Sequence, residues 1–305
     1  MNRQLQQAFL FCSQKTQQEA KNFYYAFLFL PKKKRQAIYV AYTFARVCDD
    51  IVDEPSPNKE EQLQQLRLGL TKVYQNDFIP TEPLFLALQN VVRRFSIPKN
   101  YFETLIDGME MDLHRNRYQN FSELYEYCYK VAAVVGLICI HIFRFQSEQC
   151  LPFAVDLGIA MQLTNILRDI AEDARLNRIY LPLDELAQFQ ITEEMIFQGN
   201  PNPQQFSKFL DFQLIRAQTY FARSRKLLPF LEKDARICPK ILRNLYEEIL
   251  RKIWVSQYNV LQQKIRLSKV KKLLLMASTL IDLPYLNPSA RKSSLAQASS
   301  RMKKK

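Results

Sequence analysis

Glycine is scarce in this chain, with five residues among 305. Sheet-rich folds depend on glycine-bearing turns, whereas helices joined by short connections do not. The content of 48% hydrophobic and 24% charged residues is typical of a soluble globular protein. The scarcity of glycine therefore predicts an all-α fold, and the chain is long enough to bury a sizeable core.

Prolines and polar breaks divide the chain into helical segments. The predicted helices cover 4–30, 32–53, 60–75, 82–95, 99–115, 122–144, 152–175, 204–231, 238–263 and 269–281. Irregular stretches are predicted near 177–182 and at 199–203, and the Ser, Ala and Lys composition after Pro288 indicates disorder. The prediction is one helical domain over 1–284, followed by a basic tail at 285–305.

Two acidic clusters with the same spacing lie far apart in the sequence. Residues 49–53, the first acidic cluster, read DDIVD, and residues 169–173, the second acidic cluster, read DIAED. Side chains at i and i+4 share a helix face, so each cluster directs two carboxylates at one point, and their repulsion is unfavourable unless a cation is held. Hard oxygen ligands suit Mg²⁺, which binds through one or two carboxylates plus substrate phosphates. The pattern predicts an enzyme acting on diphosphates.

The alternative for each cluster is an acidic helix end on a solvated surface. In the first, mostly apolar residues at 38–47 disfavour a plain surface helix, and the guanidinium of Arg46 can neutralise the carboxylates or bind a phosphate. In the second, Asn165, Asp169 and Asp173 fall at i, i+4 and i+8, so three oxygen-bearing side chains line one stripe. This spacing favours a metal site over a structural polar stripe.

Other polar groups carry less information. The acids at 107–112 and the tyrosines at 125–129 alternate with apolar residues, which indicates core aromatics with a charged edge. His114 and His141 are single histidines without metal-ligand spacing. The sequence contains no nucleophile triad, P-loop or dinucleotide fingerprint.

Several motifs resemble those of the squalene/phytoene synthase family, and the similarity covers about residues 8 to 282. The stretches that carry it are FARVCDDIVD at 44–53, YCYKVA at 127–132, QLTNILRD at 162–169, EDAR at 172–175 and RIYLP at 178–182. The resemblance implies a single-domain isoprenoid synthase fold, a helical bundle with a central cavity. It also implies a prenyltransferase that joins two prenyl diphosphates head to head (1'-1) through a cyclopropyl intermediate.

The resemblance further implies roles for individual residues. The metal ligands would be Asp49, Asp53, Asn165, Asp169 and Asp173, with Mg²⁺ as the cation and Mn²⁺ as a substitute. The residues that contact the substrate diphosphate would be Lys21, Arg46, Arg168 and Tyr246. The four aspartates would be catalytic together with Tyr129, which would line the reaction centre. Ionisation of an allylic diphosphate requires a Lewis acid at the leaving group, and the carbocation requires a dry apolar cavity.

Three positions depart from the family pattern. Ala20 stands where Ser is common, Ala133 where Gly is common, and Gln263 where an Arg often contacts phosphate. The stretch RIYLPLDE at 178–185 resembles phytoene synthases, whereas IRLSK at 265–269 resembles presqualene-forming relatives. The sequence therefore favours phytoene from two geranylgeranyl diphosphates, followed by presqualene diphosphate or squalene from farnesyl diphosphate. NADPH would be needed only for squalene.

The net charge of +13 is concentrated near the C-terminus, where eleven basic residues from Lys264 onward accompany one acid. Such a tail is a solvated arm or binds an anionic membrane, and the lack of interleaved aromatics argues against nucleic acid. The N-terminus lacks a signal-peptide pattern, and the apolar run at 131–143 is too short to span a bilayer. Six cysteines without CxxC spacing indicate buried free thiols in a reducing compartment. The prediction is a cytoplasmic protein that can rest on the inner face of the cell membrane.

A different function remains open at this stage. The family includes non-catalytic members that act as assembly or scaffold factors, and these typically lose the acidic motifs. Both acidic clusters are present in this chain. Their retention favours the enzyme.

Overall fold

The computed structural model describes residues 3–20, 23–75, 79–256 and 259–281. In these residues the regular structure is helical, and strand-like pairing is limited to two isolated bridges. The all-α prediction is therefore confirmed. The chain forms two compact units, Met1–Arg266 and Leu267–Lys305. The predicted tail at 285–305 lies outside the described residues and stays a prediction.

Helices account for the regular structure of both units. Within the described part of the first unit they are α1 (Arg3–Glu19), α2 (Tyr24–Phe27), α3 (Lys32–Asp53), α4 (Lys59–Val73), α5 (Pro83–Phe95), α6 (Lys99–His114), α7 (Phe121–Cys128), α8 (Val134–Phe143), α9 (Leu151–Arg175), α10 (Leu183–Gln188), α11 (Glu193–Phe197), α12 (Pro203–Ser224) and α13 (Ile237–Val255). A π-helical turn at Tyr129–Ala133 joins α7 to α8, and 3₁₀ turns lie at Glu148–Cys150 and Arg225–Phe230. The second unit contains α14 (Lys269–Leu280).

Most predicted helices begin and end within two residues of the observed bounds, but the two before α14 are shorter than predicted. The helix predicted at 204–231 ends at Ser224, and a 3₁₀ turn containing Pro229 follows. Proline has no backbone N–H to donate, so an α-helix is disfavoured there. The helix predicted at 238–263 ends at Val255.

The helix predicted at 4–30 is wrong in its second half. α1 ends at Glu19, and the chain turns before the short α2. The rings of Phe23 and Phe27 lie 6.3 Å and 6.4 Å from the ring of Tyr42 in α3. Aromatic pairs contribute roughly 0.5–1.5 kcal/mol beyond their buried area, which outweighs the helix preference of a few residues. The turn therefore places an aromatic surface against α3.

The helix predicted at 122–144 contains one wide turn, the π-helical turn between α7 and α8. Two glycines from neighbouring helices lie against this turn. A Cβ on Gly108 of α6 would lie 2.8 Å from Cβ of Lys130, and one on Gly158 of α9 would lie 2.6 Å from Cα of Ala133. No side chain fits at such distances, so glycine permits both close approaches. α6 and α9 thereby hold the wide turn in place.

The short helices α10 and α11 occupy a region where the sequence predicted no helix. A buried ion pair fixes α10 to α12, because Nη2 of Arg216 lies 2.5 Å from Oε1 of Glu185. Gln213 donates a further hydrogen bond to Glu185 at 2.6 Å. The guanidinium of Arg216 also lies 3.8 Å from the ring centre of Phe121. These long-range contacts explain why local sequence did not reveal α10.

α9 lies at the centre of the first unit, where it packs against α8, α12, α13 and the π-helical turn. Its buried residues, which include Ile159, Leu163, Ile166 and Ile170, recur at spacings of three and four and form one apolar face. Among the described residues, the stretches Phe121–Phe143 and Glu148–Arg175 are long and apolar enough to cross a membrane, but half of the 18-residue apolar window in each is buried inside the protein. Such burial is expected of helices that form the core of a protein.

All six cysteines are free thiols. Five are buried and Cys139 is half-buried. Burial raises the pKa of Cys12 and of Cys139 to about 12. Both thiols therefore stay protonated and unreactive at neutral pH, as the predicted structural role requires.

Candidate active site

The first acidic cluster forms the C-terminal end of α3 and has two faces. Asp50 faces cations, with Nζ of Lys15 at 2.9 Å from one carboxylate oxygen and Nη2 of Arg46 at 2.7 Å from the other. Asp49 is half-buried, and the exposed Asp53 lies one helical turn further on. The cations of α1 and α3 therefore pair with Asp50 and leave Asp49 and Asp53 for another partner.

Arg46 was predicted to contact diphosphate, and here it is held by two acids. Besides Asp50, its Nε lies 3.2 Å from Oε2 of Glu19 in α1. This ion pair makes no hydrogen bond, so Nε of Arg46 is a buried donor with no hydrogen-bond partner within the described residues. An unused donor of this kind suits an incoming anion.

The second acidic cluster forms the C-terminal end of α9. Nε of Arg168 donates to Asp169 at 2.8 Å, and its Nη2 donates to the other carboxylate oxygen. One turn earlier, Oδ1 of Asn165 is buried and has no hydrogen-bond partner within the described residues. Tyr246 of α13 is 2% exposed, and its phenol lies beside Asn165 and Arg168. The predicted stripe thus exists, with one acceptor left unpaired.

Lys264 brings a further cation to the second acidic cluster. Its ammonium group pairs with Glu172, the neighbour of Asp173. The preceding residue is Gln263, where relatives in the resembled family often carry Arg. Lys264 therefore supplies a positive charge near the position of the missing arginine.

Asp112 of α6 lies between the two acidic clusters, and the sequence interpretation missed it. Its carboxylate accepts hydrogen bonds from Tyr180 at 2.8 Å and from Tyr127 at 2.9 Å. Its charge raises the pKa of Asp49 in the first cluster and of Asp173 in the second. The sequence contained one signal for Asp112. It lies four residues after Gly108, so it shares the face of α6 that packs against the π-helical turn.

Arg178, which was also not predicted as a site residue, lies beside both clusters. Its Nη1 lies 3.3 Å from Oδ1 of Asp53. Burial raises the pKa of Asp112 and of Asp173, and the charge of Arg178 opposes both shifts. The two acidic clusters, Asp112 and Arg178 therefore form one electrostatic centre.

Negative charge exceeds what the local cations neutralise in this centre. Burial raises the pKa of Asp49 to about 7, and the carboxylates of Asp53, Asp50 and Asp112 add to the effect. Burial likewise raises the pKa of Asp173 to about 7, with a contribution from Asp169. Arg46 opposes the first shift and Arg178 the second. The centre is therefore suited to accept additional positive charge.

The residues fit a divalent, oxygen-preferring cation. Among the described residues no three His, Cys, Asp or Glu side chains converge as a closed metal site. Mg²⁺ does not require one, since it commonly binds through one or two carboxylates and takes further oxygens from substrate phosphates and water. The unpaired oxygen of Asn165 and the mutually repelling carboxylates are the observations that support the fit.

Most of the predicted site residues lie in this region. Those at the two clusters are Asp49, Asp53, Asn165, Asp169, Asp173, Arg46, Arg168 and Tyr246. Aromatic rings connect the clusters, because Phe23 lies 6.0 Å from the ring of Tyr246 and 6.3 Å from that of Tyr42. Tyr129 is half-buried in the π-helical turn, beside Tyr101. Lys21 lies outside the described residues.

Similarity to known proteins agrees with this architecture. The chain is 36% identical over 283 residues to the 15-cis-phytoene synthase of Synechococcus elongatus, covering 88% of this chain and 91% of that protein. It is 34% identical over 301 residues to a chloroplastic phytoene synthase of an Oncidium hybrid, covering 96% and 72%. The crystal structure of a dehydrosqualene synthase in complex with ligand superposes with a TM-score of 0.85 at 29% identity, covering 92% of this chain and 97% of that one.

The fold, the paired acidic helix ends and these relatives define an all-helical prenyltransferase enzyme. The family model described as squalene/phytoene synthase matches residues 16–271. The chain belongs to the squalene/phytoene synthase family.

Proposed function

We propose that this enzyme condenses two molecules of geranylgeranyl diphosphate head to head, through a cyclopropyl intermediate, to phytoene. The observation that carries the proposal is the meeting of two acidic helix ends, α3 and α9, around one charged centre beside an aromatic wall. The similarity to several phytoene synthases supports the C40 product. The similarity to dehydrosqualene and squalene synthase structures makes a C30 product from farnesyl diphosphate the second candidate.

We propose Mg²⁺ as the cation of the site, with Mn²⁺ as a substitute. The residues that would hold it are Asp49, Asp53, Asn165, Asp169 and Asp173. When bound, the metal supplies Lewis-acid stabilisation of the diphosphate leaving group. NADPH enters only if the product is squalene.

The remaining site residues have proposed roles around the substrate. Arg46, Arg168 and Lys21 are proposed to bind phosphate oxygens, the two arginines bidentately. Tyr246 holds Arg168 and Asn165 in orientation from its buried position in α13. Tyr129 and the rings at Phe23 would line the apolar space where water must be excluded from a carbocation.

The test is incubation of the purified protein with Mg²⁺ and either geranylgeranyl or farnesyl diphosphate, with and without NADPH. We expect phytoene from the C20 substrate, independent of NADPH, as separated by chromatography. Presqualene diphosphate or squalene as the main product would replace the C40 assignment with the C30 one. No product from either substrate would contradict the enzyme and favour a scaffold role.

We further propose a cytoplasmic enzyme that binds the inner face of the cell membrane through its basic C-terminal tail. Six of the basic residues lie within 289–305, and basic segments bind anionic lipid surfaces. Deleting 289–305 is expected to reduce binding to anionic liposomes at low salt, without reducing activity on detergent-solubilised substrate. Sedimentation with liposomes measures the first quantity, and unchanged sedimentation would remove the tail as an anchor.

A further inference from the structure

Arg178 contacts both acidic clusters. Its guanidinium lies 3.3 Å from Oδ1 of Asp53, which is at the end of α3. Its backbone N–H donates to the carbonyl of Asp173, at the end of α9, at 2.9 Å. One residue thus bonds to both clusters, through its side chain on one side and its main chain on the other.

The turn that carries Arg178 is fixed from several directions. Asn177 has a left-handed backbone with φ of 58°, and Arg117 donates to its carbonyl oxygen at 2.6 Å and to its side-chain oxygen at 3.0 Å. Arg117 is itself held by Glu193 at 2.6 Å. On the other side, the hydroxyl of Tyr180 donates to Asp112 at 2.8 Å. The position of Arg178 is therefore set by the fold and does not depend on its pair with Asp53.

The surroundings of the guanidinium are strongly acidic. Asp53, Asp112 and Asp173 are all close enough for their charges to interact with that of Arg178 or with one another. These carboxylates lie on α3, α6 and α9, and their mutual repulsion opposes the packing of these helices. A fixed cation among them lowers that repulsion in the metal-free protein.

We propose that Arg178 is a built-in counter-ion, which neutralises Asp53 between the two acidic clusters until a divalent cation displaces it. Arg178 is then a positioning residue. Before the metal binds, its charge limits the repulsion between the two acidic clusters, and it competes with the metal for Asp53. A ligand that must break an existing pair binds more weakly than one that finds the site free. The inference rests on the proposed function only in taking Asp53 as a metal ligand.

The test is a titration of the full chain with Mn²⁺ in the absence of diphosphate, with free Mn²⁺ followed by electron paramagnetic resonance. Arg178→Gln is expected to bind Mn²⁺ about fivefold or more tightly than the wild type, because loss of a neighbouring cation favours a second one. Arg178→Met keeps the aliphatic stem and is expected to show the same direction. Arg178→Lys keeps the charge and is expected to stay within about twofold of the wild type.

Arg175→Gln is the matched control, because it removes the same charge from an exposed position at the end of α9. Its Mn²⁺ affinity is expected to stay within about twofold of the wild type. Equal or weaker binding by Arg178→Gln than by Arg175→Gln would overturn the counter-ion role. A neutral variant that folds only when Mn²⁺ is present would support it, and one that stays unfolded with Mn²⁺ would overturn it. If the wild type binds no Mn²⁺, the metal assignment is overturned as well.

Discussion

Replacing Asp169 by alanine is expected to lower turnover on the order of a thousandfold or more while the fold is retained. Asp169 lies at the centre of the stripe that includes Asn165 and Asp173, and Arg168 fixes its orientation through two hydrogen bonds. The variant would remove both a proposed metal ligand and the partner that aims Arg168 at the diphosphate. Steady-state turnover and circular dichroism of the same preparation measure activity and fold separately.

Asp156→Ala is the control for this variant, since it makes the same substitution on the same helix. Asp156 pairs with Arg223 at 2.8 Å, away from the C-terminal end of α9. Its loss is expected to leave turnover within about threefold of the wild type, because Asp156 lies away from the acidic clusters and its partner Arg223 is half-exposed. Near-normal turnover of Asp169→Ala would remove the metal assignment of the second acidic cluster.

Replacing Asp173 by asparagine is expected to stabilise the metal-free protein at pH 8 while abolishing turnover. Burial and neighbouring carboxylates raise the pKa of Asp173 from 3.8 to about 7. Between those values the folded state binds a proton that the unfolded state has released, so the free energy of unfolding falls as pH rises through this window. Asparagine cannot ionise, and the expected gain at pH 8 is about 1–3 kcal/mol.

Thermal unfolding in the presence of a chelator at pH 5 and pH 8 measures this effect. The difference in Tm between Asp173→Asn and the wild type is expected to be larger at pH 8 than at pH 5. Asp107→Asn, which removes a charge that is 47% exposed and paired with Arg67, is the control for a surface change. A difference that does not grow with pH, or a loss of stability at pH 8, would contradict the expectation.

Features set by local sequence could be predicted. The helix at 32–53 is found at the predicted bounds, because Pro31 and the break at 54–58 mark its ends and apolar residues repeat between them. The polar stripe on α9 was also readable, since Asn165, Asp169 and Asp173 are neighbours on one helix at a fixed spacing. Local periodicity was sufficient in both cases.

Features set by distant partners could not be predicted. Arg178 and Asp53 are 125 residues apart in the sequence, and Tyr180 and Asp112 are 68 apart. The hydrogen bonds that Asp112 accepts come from tyrosines in two other segments. Its own neighbours in sequence therefore indicated only the charged edge of a core. The break after α1 has the same origin, because rings from another helix determine where the chain turns.

The wide turn at Tyr129–Ala133 has a consequence for the spacing of side chains along the helical rod from α7 to α8. A π-helical turn holds one more residue than an α-helical one, which rotates everything after it by about 100° relative to an unbroken helix. The tyrosines before the turn and the aliphatic residues after it therefore face their present neighbours because the wide turn absorbs one residue. Deleting one residue within Tyr129–Ala133 would allow an ordinary α-helical turn with both sets of side chains in phase, whereas deleting one residue within α7 or α8 would rotate some side chains out of phase with the core.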